Sequence, residues 1–141
     1  MKVIEHNNFL SKKNKKFISY IFEDRQFPFY ISPSTKSGKD KNGNFIRDRI
    51  LSHVLLNRKE YRKPGECSNS PYLNEAIDIL DNFTKKTKIK YTEILRAAIN
   101  FTYNNGHEYS GLHVDHEYDH FQLLVYLNDC DSKSVTVLKD K

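Results

Sequence analysis

The sequence predicts an α+β domain in which helical segments come early in the chain and strands come late. Two segments, one after Ser11 and one after Ser70, carry apolar residues at the spacing of an amphipathic helix. A third segment, residues 93–103, alternates between two faces with a period of two, as a half-buried strand does. No spacer divides the 141 residues, so we expect one domain, 1–141.

The two predicted helices each begin at a capping hydroxyl. Ser11 can cap a helix that runs to about Asp24. Its apolar stripe consists of Phe17, Ile18, Ile21 and Phe22. Ser70 precedes Pro71, which suits the first helical position because its missing N–H would have no partner there. The apolar residues of this second helix are Leu73, Ala76, Ile77, Leu80 and Phe83.

The predicted strands differ in how far periodicity supports them. Short strands are expected at 27–31 and 50–57, and Pro64-Gly65 marks a turn. In the segment 93–103, one face is apolar: Leu95, Ala97, Ile99, Phe101 and Tyr103. Arg96 and Asn100 share the other face, where they line a site or face solvent. Dense apolar runs at 121–127 and 134–138 predict two more strands.

Composition and charge favour a folded protein of the cytoplasm. Hydrophobic residues make up 38% of the chain and aromatic residues 13%. No apolar run approaches the roughly 18 residues of a membrane helix, and the N-terminus has no signal-peptide core. Cys67 and Cys130 lack CxxC spacing, so we expect reduced thiols. The net charge of +5 lies in lysine clusters at 12–16 and 85–90, which suit a solvated surface better than a nucleic-acid interface.

Metal-binding residue types are concentrated in the fourteen residues 107–120. The segment holds four of the six histidines and two aspartates: His107, His113, His116, His120, Asp115 and Asp119. The pair His113 and Asp115 has the spacing H-x-D. Residues two apart share a face only in an extended chain, where one further His would complete a facial triad for Fe(II). The tripeptide by itself is a weak signal.

Two zinc-binding motifs overlap the same segment of the sequence. His116, Glu117 and His120 match H-E-x-x-H, which requires a helix with Glu117 as general base. Asp119 and the apolar run that follows disfavour that helix. A metallo-β-lactamase-like H-x-H-x-D-H would use His113, Asp115 and His116. It lacks its first ligand because Gly111 stands at that position.

The flanks of H-x-D resemble the prolyl 4-hydroxylase-like branch of the Fe(II)/2-oxoglutarate dioxygenases. The matching features, in order, are Tyr103, Asn105-Gly106, Tyr109, His113-x-Asp115 and the "YLN" run at 126–128. The upstream elements are similar to small phage and marine-bacterial members. The resemblance implies helical support over 1–90. These helices would pack on a partial double-stranded β-helix, a jelly-roll or cupin-like sheet, whose core begins in 91–141.

The same resemblance implies an enzyme that couples decarboxylation of 2-oxoglutarate to hydroxylation of a peptidyl proline, another side chain or a small molecule. His113 and Asp115 would bind the iron. Tyr103 and Tyr126 would contact 2-oxoglutarate or serve as core aromatics with a hydroxyl at the rim. The implied cofactors are Fe(II), 2-oxoglutarate and O2, with ascorbate as a further reductant. The expected location is the cytoplasm, or the host cytoplasm for a phage-encoded protein.

The end of the sequence departs from that pattern. The family places a third ligand, a His, and an Arg or Lys for 2-oxoglutarate well beyond the "YLN" strand. Only thirteen residues follow Asn128, and they contain neither His nor Arg. Lys133, Lys139 and Lys141 come too early for the role. The sequence therefore suggests a truncated chain. The alternatives are a zinc hydrolase using His116, Glu117 and His120, or a non-catalytic remnant that serves as a binding module.

Overall fold

Two helices and a three-stranded antiparallel sheet make up the regular structure. The computed structural model describes residues 2–33, 42, 49–66, 68–102, 115–129, 131 and 136–138. The helices and strands are α1 (Lys12–Glu23), β1 (Tyr30–Pro33), β2 (Arg49–Leu56), α2 (Leu73–Thr87) and β3 (Ala97–Phe101). A short 3-10 helix, Lys59–Tyr61, follows β2. The sheet order is β1-β2-β3, so β2 is central. The predicted α+β class agrees with this architecture.

The first helix begins where the sequence predicts. The Ser11 hydroxyl accepts a hydrogen bond from the Asn14 N–H at 3.1 Å, and the Asn14 side chain accepts one from the Ser11 N–H at 2.9 Å. These two bonds satisfy N–H groups that the first turn leaves without helical partners. Asn14 is 2% exposed, and its side-chain oxygen also accepts from the Asn82 amide of α2 at 2.7 Å. The residue that caps α1 therefore also joins α1 to α2.

The second helix starts slightly later than predicted. Pro71 and Tyr72 form a turn, and the helix begins at Leu73. The Ser70 hydroxyl accepts from the Tyr72 N–H at 3.1 Å, so it stabilises the turn before the helix. At the other end, Lys88 takes the left-handed conformation with φ 61°. Its N–H donates to the Thr84 carbonyl at 2.8 Å, which ends the helix.

The core lies where the sheet meets the helices. Its buried residues come from α1, the segment before β1, β2 and β3: Ile21, Phe27, Leu55 and Ile99. Rings from α1 and the start of α2 pack around Phe27, whose ring stacks on Tyr72 at 5.2 Å between centroids. Leu127 is the part of the later chain that packs against this core. No helix in the described ranges is long and apolar enough to cross a membrane.

The strand predictions need three corrections. β1 begins at Tyr30 rather than at Phe27, whose side chain is instead buried in the core. Among the described residues of the strand predicted at 93–103, the regular part is Ala97–Phe101, and Tyr103 lies outside those residues. The reason lies at its start, because the carbonyls of Ile94 and Leu95 accept hydrogen bonds from the Arg62 guanidinium, at 3.1 and 2.8 Å. These two residues therefore precede the ladder.

The third correction concerns the apolar run 121–127, which forms no strand. The side chain of Leu127 packs on the core, whereas Phe121 is 87% exposed. A run of apolar residues becomes a strand only where a neighbouring backbone supplies hydrogen-bond partners. Among the described residues, 121–127 pairs with none of β1, β2 and β3. Residues 136–138, the described part of the last predicted strand, also lie outside the sheet.

Candidate functional site

The structure describes two of the four residues predicted for the iron site. Asp115 and Tyr126 are described, whereas His113 and Tyr103 lie outside the described residues. Asp115 lies at one end of the sheet, against two arginines. Tyr126 is 66% exposed and shares a hydrogen bond with the Thr136 hydroxyl at 2.6 Å. The structure shows no contact between these two predicted residues.

Four side chains meet at Asp115, and we call them the Asp115 cluster: Arg58, Arg96, Asp115 and Gln122. Arg58 donates to the backbone carbonyl of Asp115 at 2.7 Å and approaches its Oδ1 at 3.5 Å. A nitrogen of Arg96 lies 3.8 Å from the same Oδ1. The Gln122 amide donates to Oδ2 at 2.9 Å. The carboxylate is therefore oriented from both sides and from its own backbone.

The sheet positions the two arginines. Leu56 of β2 pairs with Ala97 of β3, next to an irregularity in the register. Arg58 comes just after β2, and Arg96 comes just before β3. Because antiparallel strands bring the end of one beside the start of the next, the two guanidinium groups converge. Asp115 joins them from a segment 57 positions along the chain from Arg58.

Burial makes this charge cluster more than a surface ion pair. The side chains of Arg58, Arg96 and Asp115 are 27%, 29% and 24% exposed. Partial burial weakens solvent screening, so charges interact more strongly here than at a fully exposed site. Two guanidinium groups face one carboxylate, which leaves the cluster with a formal excess of one positive charge.

His116 follows Asp115 directly and is half-buried. Desolvation by burial lowers the pKa of His116, and the positive charges of Arg58 and His120 lower it further. The imidazole ring lies 5.0 Å from the ring of Tyr118 and 4.9 Å from the ring of His120. A neutral imidazole is the form that binds metals. The structure half-buries both His116 and His120.

The zinc-hydrolase arrangement does not have the geometry that it requires. Residues 115–120 form bends rather than a helix, so His116 and His120 are not one helical turn apart. The metallo-β-lactamase-like arrangement depends on Gly111 and His113, which lie outside the described residues. Within the described ranges, no group of three or more His, Cys, Asp or Glu side chains could hold a metal ion.

Asp115 has one feature of a metal-ligating carboxylate, a hydrogen bond from an outer residue. Such carboxylates are usually held by hydrogen bonds from outer residues, and Gln122 provides one to Oδ2. Carboxylate oxygen is also a ligand that Fe(II) accepts beside imidazole in a facial triad. In this structure Oδ1 faces Arg58 and Arg96 and Oδ2 accepts from Gln122, and the role of Asp115 as an iron ligand stays a prediction.

Tyr126 lies in a separate groove of about 240 Å³ between the N-terminal segment and residues 124–126. The groove is lined by His6, Asn7, Asn8, Phe9, Leu10, Lys15, Leu124, Val125 and Tyr126. The environment of Tyr126 argues against one of its two predicted roles. Its ring is too exposed for a core aromatic, and its hydroxyl bonds to Thr136. Its role as a contact to 2-oxoglutarate stays a prediction.

Sequence reasoning missed Arg58 and Gln122 and left Arg96 undecided. Asn100, which shares the face of Arg96, accepts from the Ser52 hydroxyl at 2.9 Å and does not join the cluster. The available signal was positional. Arg58 directly follows the predicted strand 50–57, and residues just beyond a strand gather at a sheet end.

A buried serine–histidine pair lies in the core and is also absent from the sequence prediction. His53 accepts from or donates to the Ser70 hydroxyl at 2.7 Å, and its other ring nitrogen donates to the Pro28 carbonyl at 2.6 Å. His53 and Ser70 are each 5% exposed. Because a nucleophile must reach its substrate, these residues serve structure. They join β2, the segment before β1 and the start of α2.

Comparison with known protein families, with curated proteins and with solved structures gives no match to this chain.

Proposed function

We propose that this chain supplies the iron-binding part of an Fe(II)/2-oxoglutarate dioxygenase, in which His113 and Asp115 are two of three metal ligands. The observation that carries the proposal is the half-buried Asp115 carboxylate, oriented by Gln122 and Arg58 at the end of an antiparallel sheet. The motif order from Tyr103 to Asn128 supports the choice of iron. The sheet would belong to a double-stranded β-helix, or jelly roll.

The residues of this chain would bind the metal ion and orient the ligands around it. His113 and Asp115 lie on one face if the chain is extended between them, and would present imidazole and carboxylate to the same ion. Gln122 holds Oδ2, and Arg58 holds the backbone carbonyl of Asp115, so the carboxylate enters the site pre-oriented. When bound, Fe(II) would couple the decarboxylation of 2-oxoglutarate to hydroxylation of the substrate.

The test is anaerobic Fe(II) binding, measured by titration with and without 2-oxoglutarate. Asp115→Asn and His113→Ala are expected to weaken metal binding by about tenfold or more, since each removes a ligand. Asp119→Asn is the matched control, because Asp119 is exposed and makes the same change in charge four residues away. A charge-transfer absorption that needs both Fe(II) and 2-oxoglutarate would identify the cofactor pair directly.

The result that contradicts the proposal is equal affinity for Fe(II) in the unaltered chain, Asp115→Asn and Asp119→Asn. That result would favour a non-catalytic binding module, in which exposed histidines hold metal only weakly. Succinate release, measured in parallel under O2, reports whether the bound iron turns over.

A further inference from the structure

The Asp115 cluster holds more cationic hydrogen-bonding capacity than Asp115 uses. Each guanidinium group carries five N–H donors. Arg58 uses part of this set on the Asp115 backbone carbonyl. The Arg96 guanidinium approaches Oδ1 at 3.8 Å, which is too long for a hydrogen bond. A guanidinium group that is 29% exposed can still be reached from solvent.

Charge balance indicates what would complete the cluster. Two guanidinium groups face the Asp115 carboxylate, and the negative charge of Glu60 acts on the adjacent His116. If a divalent cation binds Asp115, as the proposed function requires, it takes up negative charge that now faces the two arginines. A half-buried excess of positive charge is costly unless an anion neutralises it. The site with metal bound therefore favours an anionic ligand.

We propose that Arg96, together with Arg58, binds a carboxylate of the substrate beside Asp115, so that the substrate is an acidic small molecule or an acidic side chain. The inference rests on the proposed function and narrows its substrate class. A peptidyl proline carries no charge and would leave Asp115 as the carboxylate that the two guanidinium groups share. A carboxylate matches the planar fork of arginine and can accept two parallel N–H bonds from it.

The experiment uses the full chain loaded with Co(II), a redox-stable substitute for Fe(II), with 2-oxoglutarate at saturating concentration. Benzoate is titrated as the carboxylate probe and benzamide as its uncharged counterpart. Binding is followed by nuclear magnetic resonance through the guanidinium signals of Arg96 and Arg58. Saturation with 2-oxoglutarate separates a substrate carboxylate from a carboxylate of the co-substrate.

Three variants divide charge from geometry. Arg96→Gln removes the positive charge and the planar guanidinium group. Arg96→Lys keeps the positive charge and removes only the planar guanidinium group. Arg25→Gln is the matched control because Arg25 is exposed beyond the end of α1 and loses the same charge. Thermal unfolding of each variant tests whether the fold is retained. Arg96 is preferred to Arg58 as the primary target, since Arg58 also holds the Asp115 backbone.

We expect benzoate to bind and benzamide not to bind. Arg96→Gln should raise the dissociation constant for benzoate about tenfold, Arg96→Lys should raise it less, and Arg25→Gln should leave it unchanged. Equal affinity in Arg96→Gln and Arg25→Gln overturns the inference. Binding of benzoate without 2-oxoglutarate but not at its saturating concentration also overturns the inference, because the arginines would then serve the co-substrate.

The two proposals fail separately. Suppose that Asp115→Asn abolishes metal binding but Arg96→Gln leaves benzoate affinity unchanged. The proposed iron site is then supported, and the proposed anionic substrate is refuted. If benzoate binds through Arg96 while Asp115→Asn binds Fe(II) as tightly as the unaltered chain, the carboxylate contact stands and its link to an iron enzyme is refuted.

Discussion

The helix–sheet unit, residues 12–101, and the later segment, residues 115–129, place the same residue types in opposite environments. Leu55 is 2% exposed in β2, whereas Leu124 is 50% exposed. Phe27 is 7% exposed before β1, whereas Phe121 is 87% exposed. The difference teaches that apolar content alone does not bury a segment. Regular backbone pairing aligns one face toward the core, and 115–129 forms no helix or strand.

Contacts between described residues join the two regions at the core and at the end of the sheet. Leu127 packs against the core of the helix–sheet unit, and Asp115 contacts Arg58 and Arg96 at the end of the sheet. The candidate site is therefore a contact between regions. The unit supplies the arginines, and the segment supplies the carboxylate and Gln122.

The largest difference in unfolding free energy is expected when leucine is replaced by alanine in each of the two regions. Leu55→Ala should lower the free energy of unfolding by about 2–5 kcal/mol, because it removes a buried side chain and leaves a cavity. Leu124→Ala should lower it by less than about 1 kcal/mol, since half of the side chain is already exposed. Urea unfolding measures both. Equal losses would show that 115–129 is as firmly packed as β2.

The next prediction concerns the buried pair inside the helix–sheet unit. Ser70→Ala removes the hydroxyl that bonds His53 and accepts from the Tyr72 N–H, leaving buried polar groups without partners. The expected loss of unfolding free energy is about 1–3 kcal/mol. Ser19→Ala, at an exposed position of α1, is the control and should change stability little. A Ser70→Ala variant as stable as Ser19→Ala would refute the structural role.

A third substitution tests the join between the regions. Arg58→Gln should speed amide hydrogen exchange in 115–129, because it removes the bond that holds the Asp115 carbonyl at 2.7 Å. The unfolding free energy of the whole chain should fall by no more than about 1 kcal/mol, as the core is untouched. Lys59→Gln loses the same charge from an exposed pair with Glu93 and should leave exchange in 115–129 unchanged.

The smallest effect is expected from pH, in the contact between the two helical segments. A hydrogen bond to the Tyr72 hydroxyl, at 3.0 Å, and then the nearby Asp24 raise the pKa of Tyr20 above its usual 10.0. Folding thus favours the neutral phenol. The stabilisation is complete below pH 10.0 and declines as pH rises above it, because the unfolded chain releases the proton first. Tyr20→Phe should flatten this alkaline decline in urea unfolding. An unchanged decline would assign it to other groups.

Prediction from sequence succeeded where neighbours along the chain decide the outcome. Ser11 and Asn14 lie three residues apart and cap α1 as a reciprocal pair. Gly65 adopts φ 81° in the turn predicted at Pro64-Gly65, a conformation that glycine allows without steric cost. The period-two pattern also located β3, which covers Ala97–Phe101 within the predicted 93–103.

Prediction from sequence was incomplete where residues far apart in the chain form hydrogen bonds with each other. Arg62 takes the carbonyls of Ile94 and Leu95 and so delays the start of β3. His53 reads as one residue of a strand, yet the packing of Pro28 and Ser70 around it makes it a buried hydrogen-bonding centre. No local pattern reports such partners.

The sequence by itself determined the α+β class, the start of α1 and the residue types that can bind a metal, because caps and periodicity depend on residues within a few positions. Only the tertiary structure decided that Arg58 and Arg96 meet at Asp115. The sheet register brings the two arginines to one end, and Asp115 arrives there from a region with no regular structure. Contacts between residues far apart in sequence arise from packing, which places charge and burial together at this site.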